Sequence, residues 1–324
     1  MTDAASKADD AGPAAPSGQS GPEPPPPAMI DFRAMHAELG ALFDKQLFFI
    51  GGAAKSGTTW LQVLLDAHPD VSCTGENHFV TYLFRNLRKT LEEHNRVLLD
   101  PRKNTAYAIG WQPALFEADE FVYLAIAAAL GILRKQARAK PAARAIGDKT
   151  PENVRVFPQL FSWFPRSKGF HMVRDPRDGA VSGWHHVTRL FPEETKSVYP
   201  GIDDYARKYA KVWAIKTGDA ATAAAQFPTR ILELRYEELI ETPEPILARA
   251  FRFLDIESDP ALVARCIKAA SFEGLSGGRT RGQELVGSFF RKGVVGDWQT
   301  RLAPETIAYV LAECGDGMRR FGYL

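Results

Sequence analysis

Bulky apolar residues recur along this chain with two different periods, and the switching between them lays out an alternation of helices and strands. Phe32, Met35, Leu39, Leu42 and Phe43 repeat at helical spacing, whereas Leu47-Phe48-Phe49-Ile50 is a continuous apolar run of the kind found in strands covered on both faces. Leu61, Leu64 and Leu65 predict the inward face of a helix over 58–67, which stops at His68 because Pro69 disfavours helix in its predecessor. Val71-Ser72-Cys73 reads as a short strand, and residues 80–140 as mostly helical. Further strands are predicted over 168–173 and 229–235, and helices over 248–254, 260–270 and 304–314. Strands alternating with helices in this way predict an α/β fold with a central parallel sheet.

Composition sets the limits of this layout. Residues 1–28 are rich in Ala, Pro, Gly and Ser, with Pro24 to Pro27 consecutive, and are read as a solvated, disordered leader preceding one folded domain over 29–324. Forty basic against thirty-nine acidic side chains leave no global field to attract nucleic acid. Cys73, Cys266 and Cys314 are widely spaced, form no C-x-x-C pair, and suit a reducing compartment; no metal site is expected. The longest apolar stretch, 121–133, is too short to cross a bilayer, and no secretory signal is evident at the N-terminus, so a cytoplasmic location is expected.

The chemistry starts after the first strand. Gly51-Gly52-Ala53-Ala54-Lys55-Ser56-Gly57-Thr58-Thr59-Trp60 joins that strand to a helix through a glycine- and hydroxyl-rich turn, an arrangement that presents backbone N–H groups and a helix N-terminus to a phosphate. Gly52 to Thr59 follows the spacing of a nucleotide-triphosphate loop, except that Thr58 stands at the lysine position and the cation comes earlier, at Lys55. Downstream lie Asp148-Lys149-Thr150-Pro151, the run Arg174-Asp175-Pro176-Arg177-Asp178-Gly179-Ala180-Val181-Ser182, Tyr236-Glu237-Glu238-Leu239, Ser271-Phe272-Glu273, and Arg291-Lys292-Gly293-Val294-Val295-Gly296-Asp297-Trp298.

Taken in this order, K-S-G-T-T-W, R-D-P-R-D-x-x-V-S and R-K-G-x-x-G-D-W resemble the phosphate-binding segments of sulfotransferases that use 3′-phosphoadenosine 5′-phosphosulfate (PAPS). The resemblance implies a single three-layer domain with about five parallel strands flanked by helices, similar to the P-loop NTPases. It implies that Lys55, Ser56, Gly57, Thr58 and Thr59 hold the 5′-phosphosulfate, and that Arg174, Ser182, Arg291, Lys292 and Gly293 hold the 3′-phosphate. Trp60 and Phe272 would sandwich the adenine, with Tyr236 close to it, and Lys149 would stand beside the transferred group. The two aspartates at 175 and 178 are assigned to capping and loop structure, because they would repel an anion. The adjacent His185 and His186 point to different sides of a helix, which argues against a metal pair.

The activity so implied is transfer of a sulfuryl group from PAPS to a hydroxyl or amine, leaving adenosine 3′,5′-bisphosphate (PAP) and requiring no metal. The chain departs from the cytosolic animal enzymes, whose catalytic histidine follows Lys-Thr where Pro151 stands here. Glu76, just past the second strand, is therefore the expected base, with His78 the alternative. A P-loop kinase or NTPase, or a non-catalytic nucleotide-binding protein, would share the first turn, but a kinase would need lysine at position 58 and a carboxylate for magnesium. The acceptor, whether small molecule, lipid or saccharide, and any homodimer are left open. The segment 274–296, rich in Gly and Arg, is expected to be mobile until a phosphate relieves repulsion among its cations.

Overall fold

The computed structural model describes residues 31–285 and 287–324; the expected Pro-rich leader over 1–28 lies outside them. Five strands, β1 (Gln46–Gly52), β2 (Val71–Cys73), β3 (Ala145–Lys149), β4 (Lys168–Val173) and β5 (Ile231–Arg235), pair in the order β2-β3-β1-β4-β5. Every pairing is parallel, as the alternation of elements predicts.

The apolar run in β1 explains the layers. A strand sends successive side chains to opposite faces, so Phe48 and Ile50 join Leu61, Leu65 and Phe251 on one side of the sheet. Leu47 and Phe49 join Leu130, Phe157 and Phe161 on the other. Helices Thr58–Asp66, Pro243–Phe253 and Pro260–Ala269 cover the first face, and Ala118–Ala139 and Asn153–Trp163 the second. A third apolar cluster, centred on Trp213, ties Pro176–Leu190, Ile202–Gln226 and Pro304–Arg320 together near the carboxyl ends of β1 and β4.

Two helices depart from the sequence reading for physical reasons. Ile202–Gln226 has no strong apolar stripe to betray it, because its buried face consists of four alanines, Ala206, Ala210, Ala220 and Ala223, together with Lys216, Thr217 and only two large side chains, Tyr209 and Trp213. The last helix continues to Arg320 through Gly315 and Gly317. Gly317 is a packing residue rather than a stop, since a Cβ there would come within 2.7 Å of the Trp213 ring. Between β2 and the helix Arg85–Leu98, residues Phe79–Phe84 form a π-helical turn. Because all five strands run the same way, the loops after Gly52, Cys73, Lys149, Val173 and Arg235 emerge on one edge of the sheet, where open α/β sheets bind ligands.

Candidate active site

At that edge the chain leaves β1 through a turn held from within. Lys55 and Gly57 both have left-handed backbone angles, φ 64° and 95°. Gly57 cannot carry a side chain, because a Cβ would also come within 2.5 Å of the Tyr236 ring. Ser56 is buried, and both its hydroxyl (2.7 Å) and its amide (3.2 Å) donate to the Ala53 carbonyl. Tyr209 donates its hydroxyl to the Ala54 carbonyl at 2.6 Å. With those carbonyls engaged, what the turn offers outward is the N-terminal end of helix Thr58–Asp66, where the first N–H groups have no helical partner.

The turn forms one wall of a cavity of about 560 Å³. Of the residues expected in the site, Lys55, Gly57, Thr58, Thr59, Trp60, Glu76, His78, Arg174, Ser182, Tyr236, Phe272, Arg291, Lys292 and Gly293 all line it. Ser56 does not; its side chain shapes the turn from behind. Lys149 is only 4% exposed and meets the cavity through an ion pair with Glu76, whose side chain is 42% exposed.

Glu76 is placed by a residue that the sequence reading passed over. Asp148, in β3 and fully buried, accepts from the Asn77 amide (3.0 Å) and side chain (2.7 Å), from the Thr150 hydroxyl (2.9 Å) and from the Asn153 side chain (2.8 Å). Burial pushes its carboxyl up from the ordinary range, and these donors oppose that shift. The loop carrying Glu76 and His78 is thereby fastened to the strand that carries Lys149. His78, left-handed at φ 49°, approaches Glu76 with Nε2 at 3.8 Å from its carboxylate. Glu152 also lines the cavity, and accepts from the buried Lys216 at 2.9 Å. Burial would raise its pKa, but the charge and hydrogen bond of Lys216 bring it below the usual value.

Lys55 and Arg174 form the cationic centre. Burial, reinforced by Arg174, Arg189 and Lys149, lowers the Lys55 ammonium to about 8, with Glu76 opposing. Burial and the charges of Lys55 and Arg189 likewise bring His186 down to about 4. Phe289 covers the ammonium, its ring centroid 4.0 Å from Lys55 Nζ. Arg174 stacks over Tyr236 at 4.3 Å and donates to the Val294 carbonyl at 3.1 Å, while its Nε is buried with no partner among the described residues.

The aspartates of the Arg174 to Ser182 run do what their charge requires. Asp175 caps the helix, accepting from the Arg177 amide at 2.9 Å. Asp178 reaches across to the last motif, accepting from the Gly296 amide (2.7 Å) and the Trp298 amide (3.2 Å). In that motif Asp297 accepts from both Arg291 and Lys292, and Glu284 accepts from Arg291. Burial raises the pKa of Asp297, but hydrogen bonds from Lys292 and Arg291 outweigh it and leave the carboxyl below its ordinary value. Arg279 donates to the carbonyls of Phe290 (2.6 Å) and Arg291 (2.9 Å). Mutual repulsion among these cations, expected from composition, is therefore relieved within the protein by carboxylates and carbonyls.

His186, Glu152, Phe289 and Asp148 are site residues that motif reading missed, whereas Arg281, one of the cations counted in the 274–296 segment, was given no contact of its own. Each lies outside the phosphate segments or between their matched positions. Only Asp148 left a signal, a lone carboxylate among the apolar positions of a strand.

A five-stranded parallel sheet flanked by helices, with a glycine-rich turn and a cation-lined cavity at its carboxyl edge, defines an α/β domain of the P-loop-like kind. The sulfotransferase family model Sulfotransfer_3 matches residues 48–260, and the chain belongs to that family. It is 28% identical over 233 residues to protein-tyrosine sulfotransferase 2 of Gallus gallus, covering 70% of this chain and 56% of the relative. It is 27% identical over 173 residues to cytosolic sulfotransferase 16 of Arabidopsis thaliana, covering 44% and 48%. The chain thus spans about half the length of these relatives. Among solved structures, a mouse sulfotransferase complexed with PAP shares the fold at TM-score 0.53 and 18% identity, covering 88% of this chain and 90% of that one.

Proposed function

We propose that this protein transfers the sulfuryl group of PAPS to an acceptor hydroxyl or amine. The observation that carries the reading is Arg174: a buried guanidinium that, among the described residues, has an unpartnered Nε and no carboxylate within ion-pair distance, lining the cavity together with Lys55 and the Arg291-Lys292-Gly293 segment. A buried donor left unpaired is costly, and an anionic phosphate would satisfy it. The same cavity offers Trp60 and Phe272 to a flat base. An NTPase reading finds Thr58 where its lysine belongs and gives the last motif no task.

In the reaction, the S–O bond to the 5′-phosphate breaks as a new S–O bond forms to the acceptor, and the bonding pair stays on the leaving phosphate oxygen. Lys55 and the N–H groups at the start of helix Thr58–Asp66 stabilise that growing charge. Glu76, aimed by its ion pair with Lys149, takes the acceptor proton; His78, 3.8 Å away, is the alternative base. Thr81, Tyr82 and Phe289 continue the cavity beside Glu76 and form the acceptor side. The kinship with a protein-tyrosine sulfotransferase makes a tyrosyl hydroxyl the first acceptor to try, ahead of small phenols, saccharides and lipids. No described helix is long and apolar enough to cross a membrane, and a cytoplasmic location remains our reading.

Calorimetry with PAP and AMP tests this assignment. PAP should bind at least about a hundredfold more tightly, the worth of about two charge-assisted hydrogen bonds to the extra phosphate. Equal affinity for the two nucleotides would sink it.

A further inference from the structure

Arg281 lies across the two rings assigned to the nucleobase. Its guanidinium carbon is 5.0 Å from the centroid of the Trp60 ring and 5.6 Å from that of Phe272. One of its nitrogens donates to the Gly293 carbonyl at 3.1 Å. The residue is otherwise exposed, so these contacts, each weak in water, are what keep the head there. A guanidinium is flat, weakly hydrated and able to stack, and can therefore stand where a base would lie.

Charge matching sets Arg281 apart from its neighbours. Arg291 and Lys292 are already paired with Asp297, and Arg291 also with Glu284. Arg279 is spent on loop carbonyls. Arg281 has two rings and one carbonyl, and no carboxylate partner among the described residues. It is the cation of the 274–296 segment with charge to spare, and its bond to Gly293 puts it at the edge of the segment assigned to the 3′-phosphate.

We propose that Arg281 is a specificity residue which makes tight nucleotide binding conditional on the 3′-phosphate. Resting on the assignment of this cavity to PAPS, the mechanism is an exchange of partners. Any adenine must displace the guanidinium from Trp60 and Phe272. A 3′-phosphate then receives the displaced head beside Gly293, whereas adenosine and AMP leave it without an anion. The side chain thus subtracts from the binding of nucleotides that lack the phosphate and adds to the binding of those that carry it.

The test is titration of the full-length protein and of Arg281→Ala with adenosine, AMP and PAP, followed by tryptophan fluorescence and calorimetry. Arg281→Ala should bind adenosine and AMP about threefold more tightly, the usual worth of an exposed cation–π contact. It should bind PAP about tenfold more weakly, for loss of a charge-assisted hydrogen bond. Effects of opposite sign are the result expected. Tighter binding of all three would make Arg281 a mere occupant of the slot, and weaker or unchanged binding of all three would make it an ordinary ligand or a bystander; each overturns the proposal. Arg281→Gln and a thermal unfolding midpoint guard against a folding artefact. Wild-type protein that fails to prefer PAP over AMP would instead refute the PAPS assignment, and this inference would fall with it.

Discussion

Replacing Arg174 by Ala probes the point where the sheet, the phosphate turn and the last motif meet. The residue is 8% exposed, its guanidinium stacked on Tyr236 at 4.3 Å and bonded to the carbonyls of Val294 at 3.1 Å and Lys55 at 3.4 Å, with Nε left over among the described residues. In the absence of nucleotide the substitution removes two hydrogen bonds, to the carbonyls of Val294 and, at 3.4 Å, Lys55, and one cation–π contact, together about 2–4 kcal/mol, and also a buried charge whose desolvation opposes them. The fold should therefore lose little stability. With PAP bound, the substitution removes a charge-assisted hydrogen bond worth about 1.5–3 kcal/mol, so the Kd should rise by about 10- to 150-fold. Arg174→Lys keeps the charge but not the planar fork and should fall between. Calorimetry with PAP gives the affinity, and urea unfolding without ligand gives the stability. Unchanged PAP affinity in Arg174→Ala, or a stability loss large enough to account for the weaker binding, would refute the reasoning.

Two further outcomes follow from the turn. The pKa of Lys55 is lowered from 10.5 to about 8, so between about pH 8 and the usual lysine range the unfolded chain holds more protons than the folded one. Stability should rise across that window, with the cost of the buried charge fully present below it. Lys55→Met should consequently be more stable than wild type at pH 7 by about 1–3 kcal/mol while losing PAP affinity; urea unfolding that shows no such gain contradicts the burial argument. Gly57→Ala should cost about 2 kcal/mol or more, from the left-handed backbone together with the approach of Tyr236, and its melting temperature should drop accordingly.

The fold was legible where side chains are large. Leu47 to Ile50, Leu61, Leu64 and Leu65, and the strand over 168–173 each carry enough apolar bulk to fix an element and its faces. Helix Ile202–Gln226 escaped because half of its buried face is alanine and only Tyr209 and Trp213 are bulky, and the last helix looked shorter because a packing glycine resembles a stop. In the site, the glycine- and arginine-bearing segments that meet at the cavity were readable because close backbone approach restricts their residue types. The contacts of Glu152 and Arg281 were not, since each acquires its place only when the loop after β3 and the last motif are brought to the cavity. The charge balance of the last motif was misjudged for the same reason. Counting Arg279, Arg281, Arg291 and Lys292 along the chain suggests repulsion, whereas Asp297 and Glu284 answer two of them in space.

Transfer of radiolabelled sulfuryl from PAPS is the measurement closest to the central claim. The purified full-length protein should label at least one of a tyrosyl peptide, a phenol, a saccharide or a lipid acceptor, and release PAP, in the presence of EDTA. Glu76→Gln should lose about a hundredfold or more of that turnover, as expected for a general base, while binding PAP as wild type does. A histidine base would show itself as normal turnover in Glu76→Gln and loss in His78→Ala. A wild-type protein that binds PAP yet labels none of these acceptors, or transfers only when a metal is added, would contradict the account.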